Sequence, residues 1–285
     1  MSSITAISIV IDKRYGYLRL QISTATIEIP TMSKLRTFYL SGSVVLGTMM
    51  ALPGLAAADV RNIVLVHGGN VDGSTWREVY DRLTAADFNV TISQLPMTSV
   101  EDDIAAVQRN LDAQDGSVLL VSHSYGGVVI TEAGNDPDVK GLVYVASFQP
   151  DTGESGNMLL ASEPTEFTPD KLTVFEHGHF LVDEEAFVSL NGNGLSDEDV
   201  RFVARSQPMA NSVNLAHEVD AAAWSEKPTW AVIATEDRVI APGLQRRMAK
   251  RAGSTVVEIK NGHMLPMTSP DKVAEVIAQA ARAVE

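Results

Sequence analysis

A hydroxyl, an imidazole and a carboxylate that meet in space can carry out nucleophilic acyl transfer, and this chain places each of them just beyond an apolar strand. Ser124 follows Val118-Leu119-Leu120-Val121, which reads as a buried strand, and precedes Gly126-Gly127-Val128-Val129, which can open a helix. A serine on so sharp a strand-to-helix turn needs small residues two positions to either side, where the backbones crowd, and those positions hold Ser122 and Gly126. Ser122 stands where such turns usually carry glycine. The turn holds the hydroxyl clear of the chain and aims the free N–H groups of the helix start at it, a setting that stabilises developing negative charge.

Two further strands complete the constellation. Upstream, Ile63-Val64-Leu65-Val66 runs into His67-Gly68-Gly69, the kind of loop that supplies a second N–H, so the backbone amides of Gly69 and Tyr125 are the candidate oxyanion-hole donors. Downstream, the strand from Trp230 ends in Thr235-Glu236-Asp237, and Val256-Val257-Glu258-Ile259 is followed by Asn261-Gly262-His263. Ser124 as nucleophile, His263 as general base and then acid, and Glu236 or Asp237 to orient the imidazole form a triad in the chain order serine, acid, histidine. His67 and His123 are expected to be structural or pocket-shaping, because a second base is unnecessary.

These residues need a frame that brings four loops together at one edge. From Asn62 onward apolar strands alternate with helical stretches, the pattern of an α/β protein with a mostly parallel sheet covered on both faces. Thr75 to Leu83 has helical spacing. Ser99 is placed to cap a helix from Val100 to Leu111, and Glu101, Asp102 and Asp103 in its first turn are expected to complement the helix dipole and nothing more. Gly141 to Ala146 is another apolar strand, while Gly243 to Arg251 and Pro270 to Val284 are helices flanking the last strand. His177-Gly178-His179 reads as a solvated loop, since zinc needs three or four ligands and no third histidine is near.

The stretches HGGNVDGSTW, LPMTSVEDDIAAV, VSHSYGGVVITEAG, GLVYVASFQPDTGES, TEDRVIAP and NGHMLPMTSP resemble the α/β-hydrolase superfamily, within it the small bacterial esterases related to plant methyl esterases and hydroxynitrile lyases. The resemblance runs from about Asn62 to the C-terminus and is weakest between Asn157 and Ala221. It implies an α/β-hydrolase fold over residues 59–285, a small helical cap at about 148–224, and Asp237 rather than Glu236 as the carboxylate. Within that cap Ser196 to Ala204 and Asn214 to Ala223 look helical, and Phe148 and Phe180 are candidate pocket residues beside His67 and His123. The implied activity is hydrolysis of small, largely apolar esters by a serine carboxylesterase through an acyl-enzyme, without a cofactor or metal. Hydroxynitrile lyases of this kind carry Lys after the catalytic His and Thr after the first loop's His, whereas this chain has Met264 and Gly68. A small-ligand-binding protein that keeps the same pocket is the alternative from another class.

Bulk composition agrees with a small-molecule enzyme. A formal charge of −14 argues against nucleic acid, whose phosphates need clustered Lys and Arg, and the absence of cysteine excludes a disulfide framework, a thiolate metal site and a Cys nucleophile. Residues 32–58 are expected to be a secretory signal: Lys34 and Arg36 precede an uncharged run from Phe38 to Leu52, then Pro53-Gly54 and the small-residue site Ala56-Ala57-Ala58. The run is too short to span a bilayer, so export to periplasm or medium with no lasting anchor is expected. Residues 1–31 are either an extension ahead of a true start at Met32 or a hairpin made by the alternating ISIVI and YLRLQI.

Overall fold

The computed structural model describes residues 3–12, 17–26 and 60–284. The first two stretches form a unit of their own, strands β1 (Ser3–Asp12) and β2 (Tyr17–Thr26), paired antiparallel from Ser3 opposite Thr26 to Asp12 opposite Tyr17. The two alternating stretches, ISIVI and YLRLQI, fall on these paired strands. The expected secretory signal lies outside the described residues.

The main unit is built on a six-stranded parallel sheet. In chain order its elements begin with β3 (Asn62–Val66), α1 (Arg77–Ala85), β4 (Asn89–Ser93), α2 (Val100–Asp112), β5 (Val118–His123), α3 (Gly126–Ala133) and β6 (Val139–Val145). An insertion follows, with α4 (Gly156–Ser162), β7 (Leu172–Val174), β8 (His179–Val182), α5 (Glu184–Asn191), α6 (Asp197–Arg205), β9 (Ala210–Asn211) and α7 (Val213–Ala216). The chain then returns to the sheet through β10 (Thr229–Ala234), α8 (Pro242–Arg251), β11 (Thr255–Ile259), α9 (Leu265–Thr268) and α10 (Pro270–Ala283). The strand order is β11-β10-β6-β5-β3-β4, every pair parallel.

Strand periodicity divides the core into two layers. Ile63 and Leu65 of β3 and Leu119 and Val121 of β5 join Trp76, Val79 and Leu83 and the apolar side of α10 in one buried cluster. Their neighbours Val64, Val66, Val118 and Leu120 point to the other face, onto α2, α3 and α8. Both faces are covered, which is why these strands read as unbroken apolar runs. Ser99 caps α2, its hydroxyl accepting from the Asp102 N–H at 3.1 Å.

The insertion departs from a purely helical cap. β7, β8 and β9 make a three-stranded antiparallel sheet, because Leu-Thr-Val and Phe-Leu-Val favour extended backbone and His177 and Gly178, at φ 60° and 78°, turn the chain tightly between the first two strands. The helix expected over 214–223 is only the short α7; beyond it His217 is extended and Ser155 pairs with Glu218 as an isolated bridge. The helix after the first loop begins with a 3₁₀ turn at Gly73–Trp76, capped by the Asp72 carboxylate.

The sharp turn after β5 depends on close backbone approach. A Cβ on Gly127 would lie 1.9 Å from the Phe148 carbonyl oxygen, a collision with backbone that no rotamer relieves. Gly127→Ala is therefore expected to cost at least about 3 kcal/mol, the upper end for overpacking, read as a fall in the midpoint of denaturant unfolding. A variant as stable as the parent would show that this approach does not constrain the turn.

Candidate active site

Ser124 sits at φ 53°, in the left-handed region that costs a non-glycine residue about 1–2 kcal/mol. Its carbonyl oxygen is held by three donors: the Gly127 N–H at 3.1 Å, the Phe148 N–H at 3.1 Å and the Ser147 hydroxyl at 2.7 Å. Ser147 spends its only proton there, so the 3.0 Å contact between Ser147 and Ser122 has Ser122 as donor. The serine found in place of the usual glycine thus begins a hydroxyl chain that fixes the strained turn.

The loops after β5, β10 and β11 then deliver the three reactive groups. His263 Nε2 lies 2.9 Å from Ser124 Oγ, and His263 Nδ1 lies 2.7 Å from Asp237 Oδ2. With the Nδ1 proton given to the carboxylate, Nε2 is the acceptor for the serine hydroxyl. Asp237 is buried and takes further N–H donors from Val239 at 2.8 Å, Ile240 at 2.9 Å and the Gln245 side chain at 2.8 Å. Gln245 is itself held by donating to the Ile240 carbonyl and accepting from the Ala234 N–H. Glu236 points elsewhere, half-exposed, to Asn193 and Lys260.

The backbone N–H groups of Gly69 and Tyr125 have no partner among the described residues, and the two residues face each other: a Cβ on Gly69 would lie 3.5 Å from that of Tyr125. Both line the same cavity as Ser124 and His263. His123, Phe148 and Phe180 line it too, joined by Asn214, Leu215 and Val239.

His67 is the exception among the expected pocket residues. It lies behind the loop, where its Nε2 accepts the Leu95 N–H at 2.9 Å and its Nδ1–H therefore donates to the Gly68 carbonyl at 2.8 Å. Burial lowers its basicity, so it serves as a neutral brace for the oxyanion loop. His123 likewise donates from Nε2 to the His263 carbonyl at 3.0 Å, with its ring 4.8 Å from that of His263. Burial first, and the neighbouring His263 second, hold it well below the ordinary histidine range.

One member of the acidic run in α2 does more than complement the helix dipole. Asp103 is fully buried; its Oδ1 accepts the Met97 N–H at 2.8 Å, and its Oδ2 accepts the Tyr125 hydroxyl at 2.6 Å and the Asn214 side-chain amide at 3.1 Å. Glu101 and Asp102 stay exposed. The i, i+3 placement of Asp103 on the apolar stripe with Val100, Ala106 and Val107 is the sequence signal that it turns inward. Through Tyr125 this carboxylate orients the residue whose amide is a candidate oxyanion donor.

The chain belongs to the alpha/beta hydrolase family, whose model matches residues 63–276, and this places it among hydrolases. Methylesterase 8 of Arabidopsis thaliana is 24% identical over 228 residues, 73% of this chain and 84% of that protein. The carbendazim hydrolyzing esterase of a Nocardioides species is 32% identical over 133 residues, 42% of this chain and 54% of its own. Among solved structures, a pyrethroid hydrolase from Sphingobium faniae superposes with a TM-score of 0.68 at 23% identity, covering 78% of this chain and 97% of that one.

Burial pushes the Asp103 carboxyl from 3.8 up to about 6, against hydrogen bonds from Tyr125 and Met97 that favour the charged form. Between those values the folded protein holds a proton that the unfolded chain has released. Stability from this group is therefore lost as pH rises from about 4 to about 6 and changes no further above that. The melting temperature of the parent minus that of Asp103→Asn should fall across this window and level off above it. A flat or rising difference would contradict the assignment.

Proposed function

We propose that this hydrolase is a serine carboxylesterase that cleaves small, largely apolar esters through an acyl-enzyme. The observation that carries the reading is the unbroken line of contacts from Asp237 through His263 to a Ser124 hydroxyl held at a strained elbow, opening on a cavity with two N–H groups unpartnered among the described residues.

The chemistry follows from the donor and acceptor roles. As Ser124 Oγ forms a bond to the ester carbonyl carbon, His263 Nε2 takes the hydroxyl proton, and the carbonyl oxygen gains charge next to the Gly69 and Tyr125 amides. Asp237 holds the ring orientation and balances the imidazolium; its other donors keep its second oxygen from competing for geometry. Collapse of the tetrahedral species breaks the carbon–oxygen bond to the alcohol, which leaves with the proton from Nε2. Water then attacks the acyl-enzyme with His263 again as base, releasing the acid and restoring the hydroxyl. The apolar wall of Phe148, Phe180, Leu215 and Val239 suits an uncharged ester better than an ionic one. The names of two relatives, a methylesterase and an esterase, support the same bond type. Met264, in the position after His263, offers no cation for a departing cyanide.

The test is a p-nitrophenyl acetate burst followed by labelling. A fluorophosphonate should lose fluoride and form its phosphorus–oxygen bond to Ser124 alone, and Ser124→Ala should abolish both labelling and turnover. Asp237→Asn should lower kcat by on the order of 10³–10⁴ while Glu236→Gln leaves it near that of the parent. Because only a neutral imidazole can act as base, kcat/KM should fall on the acid side. A Ser124→Ala variant with parental activity would refute the reading.

A further inference from the structure

Leu160, Phe167, Phe180 and Leu215 line the Ser124 cavity and also line a second space, a groove in the cap, so the two adjoin across these apolar side chains. The groove runs between α4, the segment 164–169, strand β7 and α7. It opens at the surface, where Ala161 is exposed and Val174 is 66% exposed. Leu160, Phe167, Leu172 and Leu215 are half-buried and pack against the central apolar cluster, of which Phe180 is a buried member.

Two properties of the groove define what it can hold. On a chain of formal charge −14, no charged side chain lines it among the described residues, so it offers an ion no partner and an apolar group a floor of its own kind. Its volume of 490 Å³ lies within the roughly 300–1,000 Å³ of small-molecule sites, whereas the Ser124 cavity, at 60 Å³, falls far below that range. An ester with more than a few carbons must therefore extend beyond the cavity that holds its reacting group. The apolar space adjoining that cavity is the groove.

We propose that the groove is the outer half of the substrate site and takes the end of an extended apolar chain whose ester group lies at Ser124. This rests on the esterase reading for the identity of the reacting group, but the preference for an apolar chain is a property of binding. Phe180, buried on β8, is the fixed edge of the passage. Leu160, Phe167 and Leu215 are half-buried on short helices and an irregular segment, and they turn to other rotamers as the chain passes between them. The groove floor is open to water until the chain covers it, so each methylene that reaches it strengthens binding by leaving water. The chain is carried on either the acid or the alcohol of the ester, with the same chemistry of recognition.

Methyl butanoate against methyl octanoate, and butyl acetate against octyl acetate, test it on the acid and the alcohol side in turn. With the parent enzyme kcat/KM should be at least about tenfold higher for the longer member of one pair, against the roughly fourfold that burying a single methylene is worth. The pair that shows the rise assigns the side. Ala161→Trp fills the groove from α4 and Val174→Asp sets a charge on its rim, and neither residue lines the Ser124 cavity. The long-to-short ratio should fall at least about fivefold in Ala161→Trp and in the same direction in Val174→Asp. Ratios within about twofold of unity for both parental pairs would overturn the proposal, whether or not the variants fold. So would a parental preference that both variants retain. A parental dimer that Val174→Asp dissociates, seen by sedimentation with no chain-length preference, would give the groove to a second copy and overturn it as well. If none of the four esters is hydrolysed, which would sink the esterase reading, calorimetric titration with butanamide and octanamide still decides the matter. A dissociation constant at least about tenfold lower for octanamide, lost in Ala161→Trp, would sustain the groove's role, and equal constants in the parent would overturn it.

Discussion

The backbone at Ser124 is the constraint on which the rest of the site depends. A left-handed serine is uphill by itself, and it persists because the turn is over-determined from three directions. Its carbonyl is clamped by the helix that follows it and by the Ser147 and Phe148 donors beyond β6, and its own N–H reaches the Val145 carbonyl at 3.3 Å. The neighbouring strand end yields in the same way, with Ala146 at φ 42° and its N–H on the Val232 carbonyl at 2.8 Å. Strands β5, β6 and β10 are thus tied together at the level of the nucleophile. The hydroxyl can be aimed only because the central sheet is rigid on both faces, which gives the apolar strands a task in function as well as in stability.

Water exclusion sets the terms for the charges. His67, His123, Ser124, Asp237 and His263 are all buried, so a hydrogen bond misplaced here would be costly, and each ring has its tautomer dictated by a backbone group or a carboxylate. Burial lowers the basicity of His67 and His123, and of these three rings only His263 lies between a carboxylate and a hydroxyl. Three histidines close together are therefore held differently: His67 between the Leu95 amide and the Gly68 carbonyl, His123 on the His263 carbonyl, and His263 between Asp237 and Ser124.

Much of this was legible in the residues. The elbow, the His-Gly-Gly loop and the order of serine, acid and histidine are local patterns at strand ends, and parallel strands bring such ends to one edge of a sheet. The resemblance favoured Asp237 over Glu236, and it is Asp237 that lies against His263, its carboxylate held by the Gln245 side chain and two loop amides, while Glu236 faces Asn193. What escaped reading depends on contacts distant in sequence. Asp103 looked like a helix-dipole acid because its partners are Tyr125, 22 residues on, and Asn214, 111 residues on. The cap's small sheet was hidden because strands of two to four residues carry almost no periodic signal.

Those distant contacts also tie the cap to the candidate active site. Asn214 closes on Tyr125 and Asp103, while His217 Nε2 lies 2.7 Å from Glu132 of α3, the helix that begins at the elbow. On the opposite side Thr165 donates to the Val239 carbonyl at 2.7 Å and the Glu166 N–H to the Arg238 carbonyl at 3.1 Å, in the loop whose amides hold Asp237. The insertion thus bonds to the oxyanion side and the acid side at once. A change in the cap that reshapes the cavity therefore bears on groups that also contact Tyr125 and the Asp237 loop, which on the proposed reading couples substrate selection to rate.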